Sequence, residues 1–155
     1  MSENYINVYN NLIIFSRNKD LYKFLNRNDD FSDRLTILLV HFCFFLKRFK
    51  SEENRKIMQE IYDFVFRQLE LSIREEGYGD QSINKKMKVY LNYFHSIVDE
   101  LHFWEKMEFD TKVEKLSIFL SEFKKIKFFV EYFDDFYDNL QKNNLKYYLN
   151  SVIKP

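Results

Sequence analysis

The chain has 155 residues, with 24 Lys plus Arg against 24 Asp plus Glu; this length fits one domain, numbered 1–155, and excludes a multi-domain enzyme. Without net charge there is no overall field to gather nucleic acid or to hold a whole face on anionic lipid, so electrostatic recognition must be local. Only 2 Gly and 1 Pro occur, the Pro as the last residue, which leaves little from which to build turn-rich β architecture or phosphate-cradling glycine loops.

Met1-Ser2-Glu3-Asn4 carries an acid and no basic segment, so the start reads as neither a secretory signal nor a transit peptide and a cytoplasmic location is expected. Residues 5–15 are apolar enough for a first helix, and Arg17-Asn18-Lys19-Asp20 connects it to a short second one through Leu21, Tyr22, Phe24 and Leu25. The pattern breaks over 26–30. A third helix, capped by Ser32 or Asp33, runs to about Phe49 and is apolar nearly all round over 35–46, which predicts a place at the centre of a bundle. That stretch is too short to span a bilayer, which takes about 20 residues.

Ser51-Glu52-Glu53 reads as the start of a fourth helix with the stripe Ile57, Ile61, Phe64, Val65, Leu69 and Ile73. The two glycines then stand together in Arg74-Glu75-Glu76-Gly77-Tyr78-Gly79-Asp80-Gln81-Ser82. Gly77 suits the left-handed residue after a helix, and Asp80 or Ser82 a cap for the next, so 74–82 predicts a helical hairpin. The following stripe continues through Met87, Leu91, Phe94, Val98, Leu101 and Trp104. Asp110-Thr111 opens one long helix from about 110 to 140, ended or kinked by Asn143-Asn144, with a last turn over 145–149. The expectation is an all-α, compact bundle of about six helices.

Aromatic richness carries no argument by itself, because Phe, Tyr, Ile, Asn and Lys share A/T-rich codons. The single cysteine, Cys43, sits in an apolar run and reads as a small buried hydrophobe in a reducing compartment. His95, Asp99 and His102 at i, i+4, i+7 are the most enzyme-like grouping. A di-metal bundle, however, wants Glu-x-x-His on two helices, so surface histidines are the reading and neither metal nor cofactor is expected. His41 reads as a satisfied core histidine. The neighbours Glu75-Glu76 and Asp134-Asp135 point apart on a helix and read as solvated faces.

Lys85, Lys86 and Lys88 follow a helix start, where the backbone dipole disfavours cations. With Arg74 across the turn they form a basic corner able to meet a lipid headgroup or an acidic partner segment; the alternative is pairing with Glu75, Glu76 and Asp80. Phe128, Phe129, Tyr132 and Phe136 lie partly off the main stripe of their helix and read as an apolar partner surface.

The glycine hairpin and the helix before it resemble the ubiquinol-cytochrome c chaperone family. The resemblance is carried by Gln59 and Asp63 (Q-x-x-x-D), Phe66, then Arg74-Glu75, Gly77 and Gly79-Asp80 (R-E-x-G-x-G-D), and Lys85 with Met87-Lys88 (K-x-M-K). Upstream, Ser16-Arg17 with Leu21-Tyr22 is similar to the family's opening motif, and Arg34, Leu38-Leu39, His41, Leu46 and Arg48 to its R-F-x-x-L-x-x-H-x-x-L-x-x-R helix; Ile153-Lys154-Pro155 matches its close. The chain departs from the pattern at Asp30-Phe31-Ser32-Asp33, where the family often has glycine before the arginine, and at Asn84, where proline or a small residue is usual.

The resemblance implies a non-enzymatic chaperone that holds newly made cytochrome b at the membrane until haem insertion and subunit association. It also implies a peripheral position on the cytoplasmic face of a bacterial inner membrane, or on the matrix side in a eukaryote, and, by analogy, a small helical partner protein. The hairpin residues Arg74, Glu75, Gly77, Gly79, Asp80, Lys85, Lys86 and Lys88 are the expected client- or lipid-binding site. The alternative is a peripheral membrane-binding helical adaptor without a specific client.

Overall fold

The computed structural model describes residues 2–27 and 30–153. Among these residues seven α-helices follow one another: α1 (Ser2–Ser16), α2 (Phe31–Phe49), α3 (Arg55–Glu75), α4 (Asp80–Glu100), α5 (Phe109–Phe119), α6 (Ile126–Leu140) and α7 (Leu145–Asn150). The all-α expectation holds, with one helix more than expected. Asn28 and Asp29 of the 26–30 break and the closing Lys154 and Pro155 lie outside the described residues.

Helix α2 is the axis. Every residue from 35 to 45 is buried, and α1, α4 and α6 pack around it, while α3 lies on α1 and α4, α7 on α1, and α5 on α6. This is the arrangement that an all-round apolar helix requires, since each Phe removed from water contributes about 1.5–3 kcal/mol. Its rings meet on two sides: Phe42 stacks on Phe94 of α4 at 5.3 Å, and Phe44 stacks on Phe133 of α6 at 5.4 Å.

The helix ends differ from the expected ones in ways the local chemistry explains. Neither Ser32 nor Asp33 caps α2. Asp30 does, accepting from the Asp33 amide at 3.1 Å, while the Asp33 carboxylate accepts in return from the Asp30 amide at 3.1 Å. This reciprocal box also holds the Arg27 guanidinium, 2.8 Å from Asp33. Helix α3 begins at Arg55, because Ser51 takes the Asn54 amide at 3.1 Å and makes a turn of 51–54. The short second helix is a 3-10 turn, Lys19–Leu21.

The expected long helix from 110 to 140 is two helices. The break at 120–125 is where Phe24 and Leu25 meet the chain: the Asn26 amide donates to Glu122 O at 3.0 Å, and Leu25 and Phe123 form an isolated antiparallel bridge. Lys125, at φ 59°, turns the chain into α6. Asp134, expected on a solvated face, instead accepts from the Trp104 indole and from Lys112, each at 2.8 Å.

The same Tyr22–Leu25 segment, with α1, lies against the residues of the expected partner surface on α6. Phe128 packs on Phe24 at 4.9 Å, Phe129 is fully buried against Phe123 at 5.1 Å, and Phe136 lies 4.9 Å from Phe15. Tyr132 donates its hydroxyl to His41 at 2.7 Å. Phe129 and Phe136 are thus buried by the chain's own α1 and the segment after it, while Phe128 and Tyr132 stay half-buried. Tyr132 and Phe136 line a small cavity of about 230 Å³.

Candidate functional site

The hairpin between α3 and α4 is built by its glycines and by one ion pair. Gly77 sits at φ 94°, the left-handed conformation that ends α3, with its amide on Arg74 O at 3.0 Å. Gly79 is the N-cap of α4, so Asp80 falls in the first turn, on the favourable end of the helix dipole, and is not itself the cap. Arg74 bonds Asp80 across the turn and lies 3.8 Å from Glu70 one turn back. The bond to Asp80 leads in holding the Arg74 pKa above its ordinary value.

The lysines divide. Lys86 folds over the Tyr78 ring, 4.5 Å from its centroid. Lys85 and Lys88 are exposed on the outer face of α4 and make no ion pair among the described residues. The alternative expectation, pairing with Glu75, Glu76 and Asp80, is thus not what the structure has: Asp80 is turned to Arg74, and Glu75 and Glu76 stay exposed. Val89, 58% exposed, stands beside Lys85 and Lys88, so the outer face carries uncommitted charge next to an apolar side chain. Helical spacing alone could have shown that Lys85, Lys88 and Val89 share this face. The Tyr78–Lys86 contact depends on the turn and could not be read.

Other motif residues have structural partners. The Gln59 amide donates to Asp63 at 3.0 Å along α3. Arg48 donates to Leu140 O at 3.0 Å and Asn143 O at 3.1 Å, capping the end of α6. His41 is fully buried with both nitrogens engaged, at 2.7 Å from Ile37 O and 2.7 Å from the Tyr132 hydroxyl. The suggested trio does not converge: His95 and Asp99 are on α4, His102 lies in the turn past Leu101, and His95 bonds the Tyr62 hydroxyl at 2.9 Å. No group of three His, Cys, Asp or Glu residues able to hold a metal occurs among the described residues. Cys43 is buried, and burial pushes its thiol up to about 12, too high for a nucleophile.

Sequence reasoning missed a larger feature at the opposite end of the α3–α4 hairpin. A groove of about 1040 Å³ opens where the start of α3 faces the end of α4. Leu46, Met58, Tyr62 and Val98 line it, and Phe103 stands on its rim, 59% exposed. The signal available was the pair of faces Met58/Tyr62 and His95/Val98, but their separation depends on the turn after α4, whose course the sequence pattern does not reveal.

The described residues form a helical bundle with a charged hairpin at one end and an open groove at the other. The sequence model of the ubiquinol-cytochrome C chaperone family matches residues 24–102, more than half of the chain, and the chain belongs to that family. The match takes in α2, α3, the hairpin and α4; the Ser16-Arg17 and Leu21-Tyr22 motif lies outside it. Membership points to a role in the assembly of complex III, with a client protein in the cytochrome bc complex. No curated protein and no solved structure matches the chain.

Proposed function

We propose that this protein is an assembly chaperone of ubiquinol-cytochrome c reductase that binds newly made cytochrome b before haem insertion and subunit association, using the hairpin corner. The observation that carries the reading is the outer face of α4: Lys85 and Lys88 are uncommitted, while Arg74 and Asp80 satisfy each other and hold the turn in shape. A client with apolar helices and charged loops calls for exposed cations beside apolar side chains, and Val89 and Tyr78, 58% and 43% exposed, supply the latter. No described helix is long and apolar enough to cross a membrane. In this reading the corner meets the client's charged loops at the membrane surface, on the cytoplasmic face in a bacterium or the matrix side in a eukaryote.

Affinity copurification from native membranes in mild detergent tests this, comparing wild type with Lys85→Glu, Lys86→Glu and Lys88→Glu combined. Cytochrome b is expected with wild type and lost with the variant at unchanged helicity by circular dichroism. Its absence from both, even in cells stalled in complex assembly, overturns the reading. The second reading, a peripheral membrane adaptor without a client, is favoured by the same exposed Tyr78 beside lysines; it requires that the chain alone bind anionic vesicles with strong salt dependence.

A further inference from the structure

The groove at the far end of the hairpin is distinct from the corner. Along α3, Met58 is separated from Glu75 by about 25 Å at the helical rise of 1.5 Å per residue. One wall is pinned: Lys47 of α2 donates to His102 O at 2.6 Å and pairs with Glu105 at 3.1 Å, fastening the turn after α4 onto α2. The floor is largely apolar, and the Tyr62 hydroxyl and His95 on it bond each other, as do Gln59 and Asp63 beside them. Among the described residues no buried side-chain polar atom lacks a partner. Its volume lies at or above the upper end of small-molecule pockets, about 300–1,000 Å³, and it is open to solvent, as suits a segment of polypeptide.

The rim is cationic. Lys50 makes no ion pair among the described residues, Lys106 meets only the Phe103 ring at 6.0 Å, and Arg55 faces Glu52 at 3.8 Å with both side chains more than four-fifths exposed, a pairing of little strength. Glu105 is held by Lys47 and the charge of Arg55 is offset by Glu52 beside it, so the surplus charge around the opening, that of Lys50 and Lys106, is positive.

We propose that this groove seats an acidic amphipathic helix of a partner polypeptide, its apolar side chains on Met58, Tyr62 and Val98 and its carboxylates on Lys50 and Lys106. Met58 is suited to such a floor, since an unbranched thioether adapts to different apolar shapes. Phe103 supplies an aromatic anchor at the rim. This second docking surface does not depend on the hairpin reading: an acidic segment binds here whether or not the corner binds cytochrome b.

The test uses the full chain and two synthetic helical peptides with the same apolar face, one with glutamates and one with lysines on the polar face, titrated by fluorescence anisotropy. The acidic peptide is expected to bind, to weaken with salt, and to perturb the amide resonances of Met58, Tyr62 and Val98. Lys50→Glu with Lys106→Glu, both at exposed positions, is expected to weaken it by about tenfold. Phe103→Ala is expected to weaken it further, and Lys85→Glu, Lys86→Glu and Lys88→Glu combined to leave it unchanged. No binding at millimolar peptide, equal binding of the basic peptide, or indifference to the Lys50/Lys106 pair overturns the proposal. So does self-association of the chain through the same resonances, which makes a second copy the occupant. Because the groove is read by peptide binding and the corner by copurification of cytochrome b, failure of the one and failure of the other are distinguishable.

Discussion

His41 shows what a buried residue in a family motif contributes. Its Nδ1–H donates to Ile37 O and its Nε2 accepts from the Tyr132 hydroxyl, an arrangement that needs the neutral ring. Phe15, Phe133 and Phe136 surround it, and burial lowers its pKa from 6.5 to about 4. Between those values the unfolded chain takes up a proton that the folded chain refuses. Stability from this group is therefore complete above about pH 6.5 and declines as the pH falls towards 4, by about 3 kcal/mol in the limit. Urea unfolding of wild type and His41→Phe at several pH values checks this: the wild-type curve is expected to fall more steeply over that window. Parallel curves would mean that His41 does not titrate differently on unfolding.

At the scale of elements, two helix boundaries use the same left-handed backbone with opposite residue choices. Gly77 at φ 94° ends α3 with no heavy atom within 4 Å of where a Cβ would stand, so Gly77→Ala is expected to destabilise by about 1 kcal/mol through backbone strain alone. Lys125 at φ 59° precedes α6 and carries that strain already. Lys125→Gly is expected to stabilise by up to about 1 kcal/mol, and thermal melts of both variants read the two signs. Gly77 was legible because a glycine after an apolar helical stripe has few other meanings. Lys125 was not: the apolar stripe runs unbroken through Leu120, Phe123 and Ile126, and a lysine gives no turn signal. The break is imposed from outside, by Phe24 and Leu25 docking on 122–124, and that distant contact also hid the covering of Phe128 and Phe129. Within the candidate site the turn and the shared face of Lys85 and Lys88 could be read from spacing. The Arg74–Asp80 pairing, the Lys86–Tyr78 contact and the groove could not, since each depends on where two helices place side chains in space.

At the scale of the molecule, the segment matched to the family, 24–102, leaves part of its own core to be covered by the rest of the chain. It contains α2, whose buried residues are covered on one side by α4, with Phe66 of α3 near Phe42, but on the other by α1 and α6, both outside the match. Removing α1 and α5 to α7 leaves Phe44, Phe45 and Phe49 without Phe133 and Tyr148, and His41 without Tyr132. The remainder of the chain is also tied to itself. Asn11, a buried amide, donates to Tyr148 O at 3.2 Å and Ser151 O at 3.0 Å and accepts from the Ile153 amide at 2.8 Å, and Asn7 donates to Leu149 O at 2.7 Å. Residues 24–102 expressed alone are therefore expected to have no cooperative urea transition, whereas the full chain has one. A cooperative transition in the fragment would show that α2 to α4 form an independent core and that the flanking helices were added to it. Without such a transition, the hairpin and the groove are surfaces of one cooperative unit: the helices around α2 fix the spacing of α3 and α4, and through it the shape of both ends.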